Sequence, residues 1–107
     1  MHVRFEAKAK CSVTTLQSVS FVNAVKRWAA ATFKDEYLVL DDFSVFESKR
    51  DGTSAQIRLL TRTYIDAPDE DTESEIRLAT QSCFSRAAAH LKCEISSEVC
   101  VVCEHKD

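Results

Sequence analysis

Two cysteines near the end of the chain, Cys100 and Cys103, have the spacing of a redox pair or of half a metal site. His90 and Cys93 repeat that spacing earlier, so four residues together would make a plausible zinc set. However, a redox pair normally lies at the start of a helix, and zinc knuckles turn tightly, usually with a glycine. Residues 90–103 contain no glycine. A structural role for the cysteines is therefore favoured, and a small enzyme or zinc protein around His90 and the C-terminal cysteines is an alternative.

The segment that carries these cysteines alternates apolar and polar residues, which predicts a strand over residues 92–104. Side chains an odd number of positions apart on a strand point to opposite faces, so Cys100 and Cys103 would not meet. Free cysteines commonly behave as small apolar residues. We therefore predict no catalytic residue, no metal site and no cofactor, and expect four cysteines on buried stripes: Cys11, Cys83, Cys93 and Cys103.

A single acidic run precedes the second predicted helix. It lacks the glycine and closing glutamate of a calcium-binding loop. Carboxylates and Pro68 suit the first turn of a helix, and Thr72 with Glu75 has the spacing of a capping box. Capping is the favoured explanation. The second is an acidic edge that binds a partner, formed by Asp66, Asp69, Glu70, Asp71, Glu73 and Glu75.

Hydrophobic periodicity predicts the elements that must position these residues. Thr14 or Thr15 supplies a hydroxyl that can cap the first helix. Asp51-Gly52 is typical of a tight hairpin turn, and imperfect alternation at Asp41-Asp42 indicates a bulge or the true start of a strand. In chain order we predict a strand over 3–13, a helix over 16–33, strands over 36–49 and 55–65, a helix over 76–91 and the strand over 92–104.

This order, β-α-β-β-α-β, predicts one α+β domain over residues 1–107 with a ferredoxin-like antiparallel sheet. Right-handed connections give the strand order 4-1-3-2, with both helices on one face. No apolar run approaches the roughly 20 residues of a membrane span, and the first ten residues lack an apolar signal core. The odd number of cysteines, five, fits reduced thiols, so we expect a cytoplasmic protein without membrane contact.

The predicted fold leaves one sheet face uncovered by helices. The two central strands place six basic or aromatic side chains on that face: Arg4, Lys8, Lys10, Arg58, Arg62 and Tyr64. We expect the glutamates of the last strand (Glu94, Glu98 and Glu104) to neutralise the cations of the first strand across the ladder. Arg58 and Arg62 would then remain less compensated.

Segregated charge of both signs, without an apolar site, favours a small non-enzymatic protein-binding or regulatory module of the inhibitor or adaptor type. Its partner would be another protein, bound through the acidic run and the basic face. Single-stranded nucleic-acid binding is the alternative, because cations contact phosphates and aromatic rings stack on bases. We expect a monomer or a homodimer. The charged first strand opposes a dimer that buries the two uncovered faces together.

Overall fold

Four strands and two helices follow one another in the predicted order in the computed structural model of the chain. The structure describes residues 2–32 and 39–105, with side chains throughout except at 2, 39–41 and 102–105. The predicted helix end at Phe33 and strand start at 36–38 lie outside these residues. The elements are β1 (His2–Thr14), α1 (Ser18–Thr32), β2 (Val39–Asp51), β3 (Ser54–Asp66), α2 (Thr72–Leu91) and β4 (Ser97–His105).

The strands form one antiparallel sheet in the order β2-β3-β1-β4. This is the predicted order 4-1-3-2 read from the other edge, so the ferredoxin-like α+β fold is confirmed. The alternation of β1 determines which of its faces is buried, because its odd-numbered residues from Val3 to Val13 all lie under the helices. Its central place follows from its pairing with both β3 and β4. No helix in the described ranges is long and apolar enough to cross a membrane.

Both helices pack on the same side of the sheet, α1 mainly against β2 and α2 mainly against β4 and β1. Phe21 of α1 and Phe84 of α2 are fully buried, and their ring centroids are 5.8 Å apart. The two helices therefore join through an aromatic pair above the buried face of the sheet, which leaves the opposite face free of helices.

The hairpin between β2 and β3 turns where the sequence predicts it. Gly52 has a φ of 57°, a conformation that glycine adopts without steric cost, and Asp51 pairs with Ser54. The register of β2 shifts between Leu40 and Asp42, which confirms the bulge interpretation of the imperfect alternation there. A second shift, between Glu47 and Lys49, had no signal in the sequence.

Both predicted helix caps were wrong. β1 continues through Thr14, and the Ser18 hydroxyl donates to the carbonyl oxygen of Thr15 at 3.1 Å, so α1 begins only at Ser18. At α2 the N-cap residue is Asp71, and the Thr72 hydroxyl accepts a hydrogen bond from the backbone amide of Asp69 at 2.9 Å. The turn before α2 is therefore held by Asp69 and Thr72 rather than by a capping box.

The last strand begins five residues later than predicted. Lys92 adopts a left-handed conformation with a φ of 55°. Its amide donates to the carbonyl of Ala89, while the amide of Cys93 donates to that of Ala88 at 3.0 Å. This pair of bonds is a Schellman motif, which usually contains glycine and therefore left no signal in the sequence. Residues 93–96 connect the motif to β4.

Candidate functional site

The sheet face that no helix covers, called the open face below, carries the predicted basic residues. The strand registers arrange its side chains in rows that cross the sheet from β2 to β4. Its members with described side chains are Asp42, Ser44, Phe46, Ser48 and Lys49 of β2; Gln56, Arg58, Leu60, Arg62 and Tyr64 of β3; Arg4, Glu6, Lys8, Lys10 and Ser12 of β1; and Glu98 and Cys100 of β4.

One row is a chain of opposite charges. Arg62 contacts Asp42 of β2 at 3.2 Å and Glu6 of β1 at 3.6 Å, and Glu6 also lies 3.5 Å from the ammonium of Lys8. The prediction that Arg62 is less compensated was therefore wrong. The bulge before Asp42 sets that residue opposite Arg62, and Glu6 lies opposite it on the other side. Together with Lys8 of the neighbouring row, the two carboxylates and the two cations balance in charge.

In a second row, Arg4 covers Tyr64, which the sequence predicted as a binding residue. The guanidinium of Arg4 lies over the Tyr64 ring, 5.0 Å from its centroid, and Nε donates to the tyrosine hydroxyl at 3.1 Å. Tyr64 is half-buried as a result. Arg4 also pairs with Glu104 in the backbone register, although the side chain of Glu104 lies outside the described ones. The Tyr64 ring is thus a support for Arg4 rather than a free stacking platform.

A third row combines an exposed ring with two cations and one carboxylate. Phe46 is 46% exposed and lies opposite Arg58, which lies opposite Lys10. Lys10 contacts Glu98 at 3.5 Å, as predicted. Glu94 precedes β4, so its predicted place in the ladder was wrong.

Arg58 differs from Lys10, the other cation of this row, in its hydrogen-bond partners. Its guanidinium donates to the Ser48 hydroxyl at 3.2 Å and to Oε1 of Gln56 at 3.5 Å, and both partners are neutral. Arg58, Lys8 and Lys10 line one depression of about 310 Å³ at the centre of the open face, together with Glu98 and Cys100. Three cations and one carboxylate therefore line this concave surface, and the Glu6 carboxylate that contacts Lys8 lies outside the lining.

The cysteines are divided between the two faces of the sheet. The Cys100 thiol is exposed on the open face. Cys93 is half-buried on the helix side, where its sulfur lies 3.8 Å from the carbonyl oxygen of Ala88. These two cysteines therefore do not converge on one point. The side chain of Cys103 is not among those described, and His90 is exposed in the last turn of α2.

Two cysteines are buried as predicted. Burial raises the pKa of the Cys11 thiol to about 12, and nearby Cys93 adds to the shift. Burial also raises the pKa of Cys83, against smaller opposing effects of a hydrogen bond to Thr32 and of the charge of Arg86. A raised pKa keeps a thiol protonated, so both side chains are poor nucleophiles and act as small apolar residues.

The acidic run lies at one end of the sheet. The Asp69 carboxylate accepts from the Asp71 amide at 2.9 Å and from the Thr72 hydroxyl at 3.2 Å, and Glu73 contacts Arg77 at 3.0 Å. Part of the run thus stabilises the turn before α2 and its first turn, although not through the predicted capping box. The others, Asp66, Glu70, Asp71 and Glu75, are exposed.

The two predicted charged surfaces are separate. Asp66, the first residue of the acidic run, is eight positions beyond Arg58 on β3, a distance of about 26 Å along a strand. The rest of the run belongs to the connection into α2 and to the first turn of that helix. The acidic run and the three cations thus offer two different contact surfaces.

Comparison with known proteins identifies the fold alone. No protein-family model matches the chain, and no curated protein matches it. Among solved structures, a conserved protein from Methanosarcina mazei Go1 is similar with a TM-score of 0.57 and 16% sequence identity, covering 94% of this chain and 91% of that one. A dimeric ferredoxin-like protein from an uncultured marine organism has a TM-score of 0.55 and 13% identity, covering 94% of this chain and 95% of that one. Both likenesses cover nearly the whole chain and agree with a ferredoxin-like architecture.

Proposed function

We propose that the protein is a non-enzymatic binding module of the regulatory type, which recognises an acidic surface of another protein through the open face. The observation that carries the proposal is the depression shared by Lys8, Lys10 and Arg58. The row from Phe46 to Glu98 holds two cations and one carboxylate, so a partner carboxylate bound in the depression would balance its charge.

Arg58 is the central recognition residue in this proposal. Its two neutral partners fix the guanidinium without neutralising it. A planar guanidinium held in this way can donate two parallel hydrogen bonds to a carboxylate. Lys8 and Lys10, whose side chains are 65% and 46% exposed, would add a longer-range attraction that raises the association rate.

The acidic run supplies a second contact surface in the same proposal. Glu70 and Glu75 are exposed at the far end of the sheet and would contact a basic region of the partner. Two separated surfaces of opposite sign fix the orientation of a partner, which suits an inhibitor or adaptor. The described cysteines Cys11, Cys83, Cys93 and Cys100 carry free thiols, which supports a cytoplasmic location.

Single-stranded nucleic acid is the second candidate partner class, because of the position of Phe46. The exposed ring lies directly opposite Arg58, which lines the cationic depression. Such a pair would stack a base and hold its phosphate. The half-buried Tyr64, covered by Arg4, adds little to this surface.

Affinity capture with the Arg58→Glu variant tests the proposal. The wild-type chain and the variant are used as baits in a nuclease-treated lysate, and captured proteins are identified by mass spectrometry. We expect a partner that the wild-type chain retains at low salt, that high salt releases and that the variant loses. Arg27→Glu is the matched control, because Arg27 is an exposed arginine of α1 on the opposite side of the sheet. Identical captures by wild type and Arg58→Glu would refute the role of the open face.

Fluorescence anisotropy with a labelled single-stranded oligonucleotide separates the two partner classes. Binding at low salt that weakens steeply with added salt, and that Phe46→Ala and Arg58→Glu both reduce, would favour nucleic acid. We expect no such binding.

A further inference from the structure

The two edges of the sheet differ in how they are covered. On β4, Nη1 of Arg77 donates to the carbonyl oxygen of Val99 at 2.7 Å, so a helix side chain covers that edge. On β2, no described side chain hydrogen bonds to the backbone of residues 42–50. Among the residues that the structure describes, β2 pairs with β3 alone, so its outer backbone donors and acceptors over residues 42–50 are a template for a further strand.

An apolar groove runs beside this edge on the helix side. Val19 and Val22 of α1 and Glu47 and Arg50 of β2 line most of its volume of about 230 Å³. Val19 is 71% exposed, and Leu16 in the turn before α1 is 95% exposed. Large apolar side chains left in water beside an open strand edge are typical of an interaction site.

We infer that a second copy of the chain docks on this edge, with the two β2 strands antiparallel about a two-fold axis. The two sheets would then join into one sheet of eight strands. A two-fold axis perpendicular to the sheet keeps both open faces on one side and both pairs of helices on the other. The contact is isologous, so each copy supplies the same residues to it.

The charges of β2 fit this arrangement. Asp42 near its start and Lys49 near its end both lie on the open face, opposite Arg62 and Gln56. The bulge between Glu47 and Lys49 adds one residue to β2. Asp42 and Lys49 therefore pair with residues of β3 that are equally far, three positions, from the partner of Val45. A two-fold axis at Val45 therefore sets Asp42 of each copy opposite Lys49 of the other. Asp42 contacts Arg62 through Oδ2, which leaves Oδ1 to accept from the second copy.

The same register brings an aromatic side chain to the groove on the helix side. Phe43 of the second copy would lie opposite Glu47, at the border of the groove that Val19 and Val22 line. Phe43 is half-buried within one chain, and docking would cover the rest of its ring. Because α1 packs against β2, the α1 helices of the two copies would flank the junction and remove Val19 from water.

The pairing of Asp42 with Lys49 favours a second copy at this edge over another extended segment. One strand supplies both the acid and the base, and they meet only when the copies are antiparallel. A parallel copy would oppose Asp42 with Asp42, which is unfavourable.

Sedimentation equilibrium of a charge-swap series tests the inference. We expect the wild-type chain to dimerise with rising concentration. Asp42→Lys and Lys49→Asp should each weaken the dimer about tenfold, since each places like charges opposite one another twice per dimer, and the double variant should restore it. Circular dichroism confirms that each variant is folded. A wild-type chain that stays monomeric, with or without an extended peptide bound at β2, would overturn the inference, as would single variants that dimerise like wild type.

Two variants that place aspartate at exposed apolar positions test the groove independently. Val19→Asp should weaken the dimer, because a carboxylate would be buried against Phe43 of the second copy. Leu78→Asp is the matched control, because Leu78 is 65% exposed on α2, away from β2. It should dimerise as wild type does. Equal dimerisation of the two variants contradicts the predicted interface.

Discussion

The guanidinium of Arg77 holds the carbonyl oxygen of Val99 at 2.7 Å while it contacts the Glu73 carboxylate at 3.0 Å. One side chain thus links the first turns of α2 to the edge strand β4. The bond occupies a carbonyl that would otherwise face water on an open edge, so it protects β4 from pairing with other chains. It also ties α2 to the sheet near the end of the chain.

Replacement of Arg77 by alanine should lower the free energy of unfolding by about 1 kcal/mol. A hydrogen bond from a charged donor contributes about 1.5–3 kcal/mol, but at an exposed edge water replaces part of it. Urea unfolding followed by circular dichroism measures the change. Arg27→Ala, at an exposed position of α1, should change stability by less than about 0.5 kcal/mol. Equal effects of the two variants would mean that the bond to Val99 contributes nothing.

The contact between Glu6 and Arg62 should contribute a measurable coupling energy. The two groups are 3.6 Å apart, with the glutamate side chain only 17% exposed, and they belong to a row of three charges. We expect a double-mutant cycle with Glu6→Gln and Arg62→Gln to give a coupling of about 0.5–1 kcal/mol at low salt, since networked pairs exceed isolated surface pairs. The coupling should fall as salt is added. A coupling that does not change with salt would contradict an ionic origin.

Gly52 should tolerate asparagine better than alanine. Its φ of 57° is costly for most L residues, while nothing lies within 4 Å of the position that a Cβ would take. The cost is therefore one of backbone conformation, about 1–2 kcal/mol for Gly52→Ala and less for Gly52→Asn. Thermal or urea unfolding of the two variants checks this order. Equal destabilisation by the two variants would contradict a cost that arises from backbone conformation.

The pattern of buried residues was predictable because it depends on simple periodicity. The alternation of β1 predicted a half-buried strand, and its central place follows from the element order and the right-handed connections of the fold. Element boundaries were less predictable, since they depend on backbone conformations that several residue types adopt. Lys92 ends α2 in a left-handed conformation although glycine or asparagine is the usual signal.

The composition of the open face was also predictable, but not how its charges are paired. Arg58 and Arg62 are equivalent in sequence, four residues apart on the same face of β3. The bulges of β2 decide that Arg62 meets Asp42 while Arg58 meets Ser48 and Phe46. A bulge changes which residues of the neighbouring strand face the sheet, and the one between Glu47 and Lys49 had no signal in the sequence.

Cys11 should make the protein less stable in alkaline solution. Its thiol has a pKa near 9.0 when exposed, and burial raises the pKa to about 12 in the folded chain. Between these values the folded state keeps a proton that the unfolded state has lost. The stabilisation that the protonated thiol provides is therefore complete below pH 9 and decreases as the pH rises towards 12, by at most about 1.4 kcal/mol per pH unit.

A comparison of two cysteine variants isolates this effect from the other groups that titrate in the same range. Urea unfolding between pH 7 and pH 11 should show a shallower loss of stability for Cys11→Ala than for wild type, because the variant has no thiol to ionise at that position. Cys100→Ala removes an exposed thiol of the open face and should keep the wild-type slope. The same slope in both variants would show that the buried thiol of Cys11 does not cause the alkaline loss of stability.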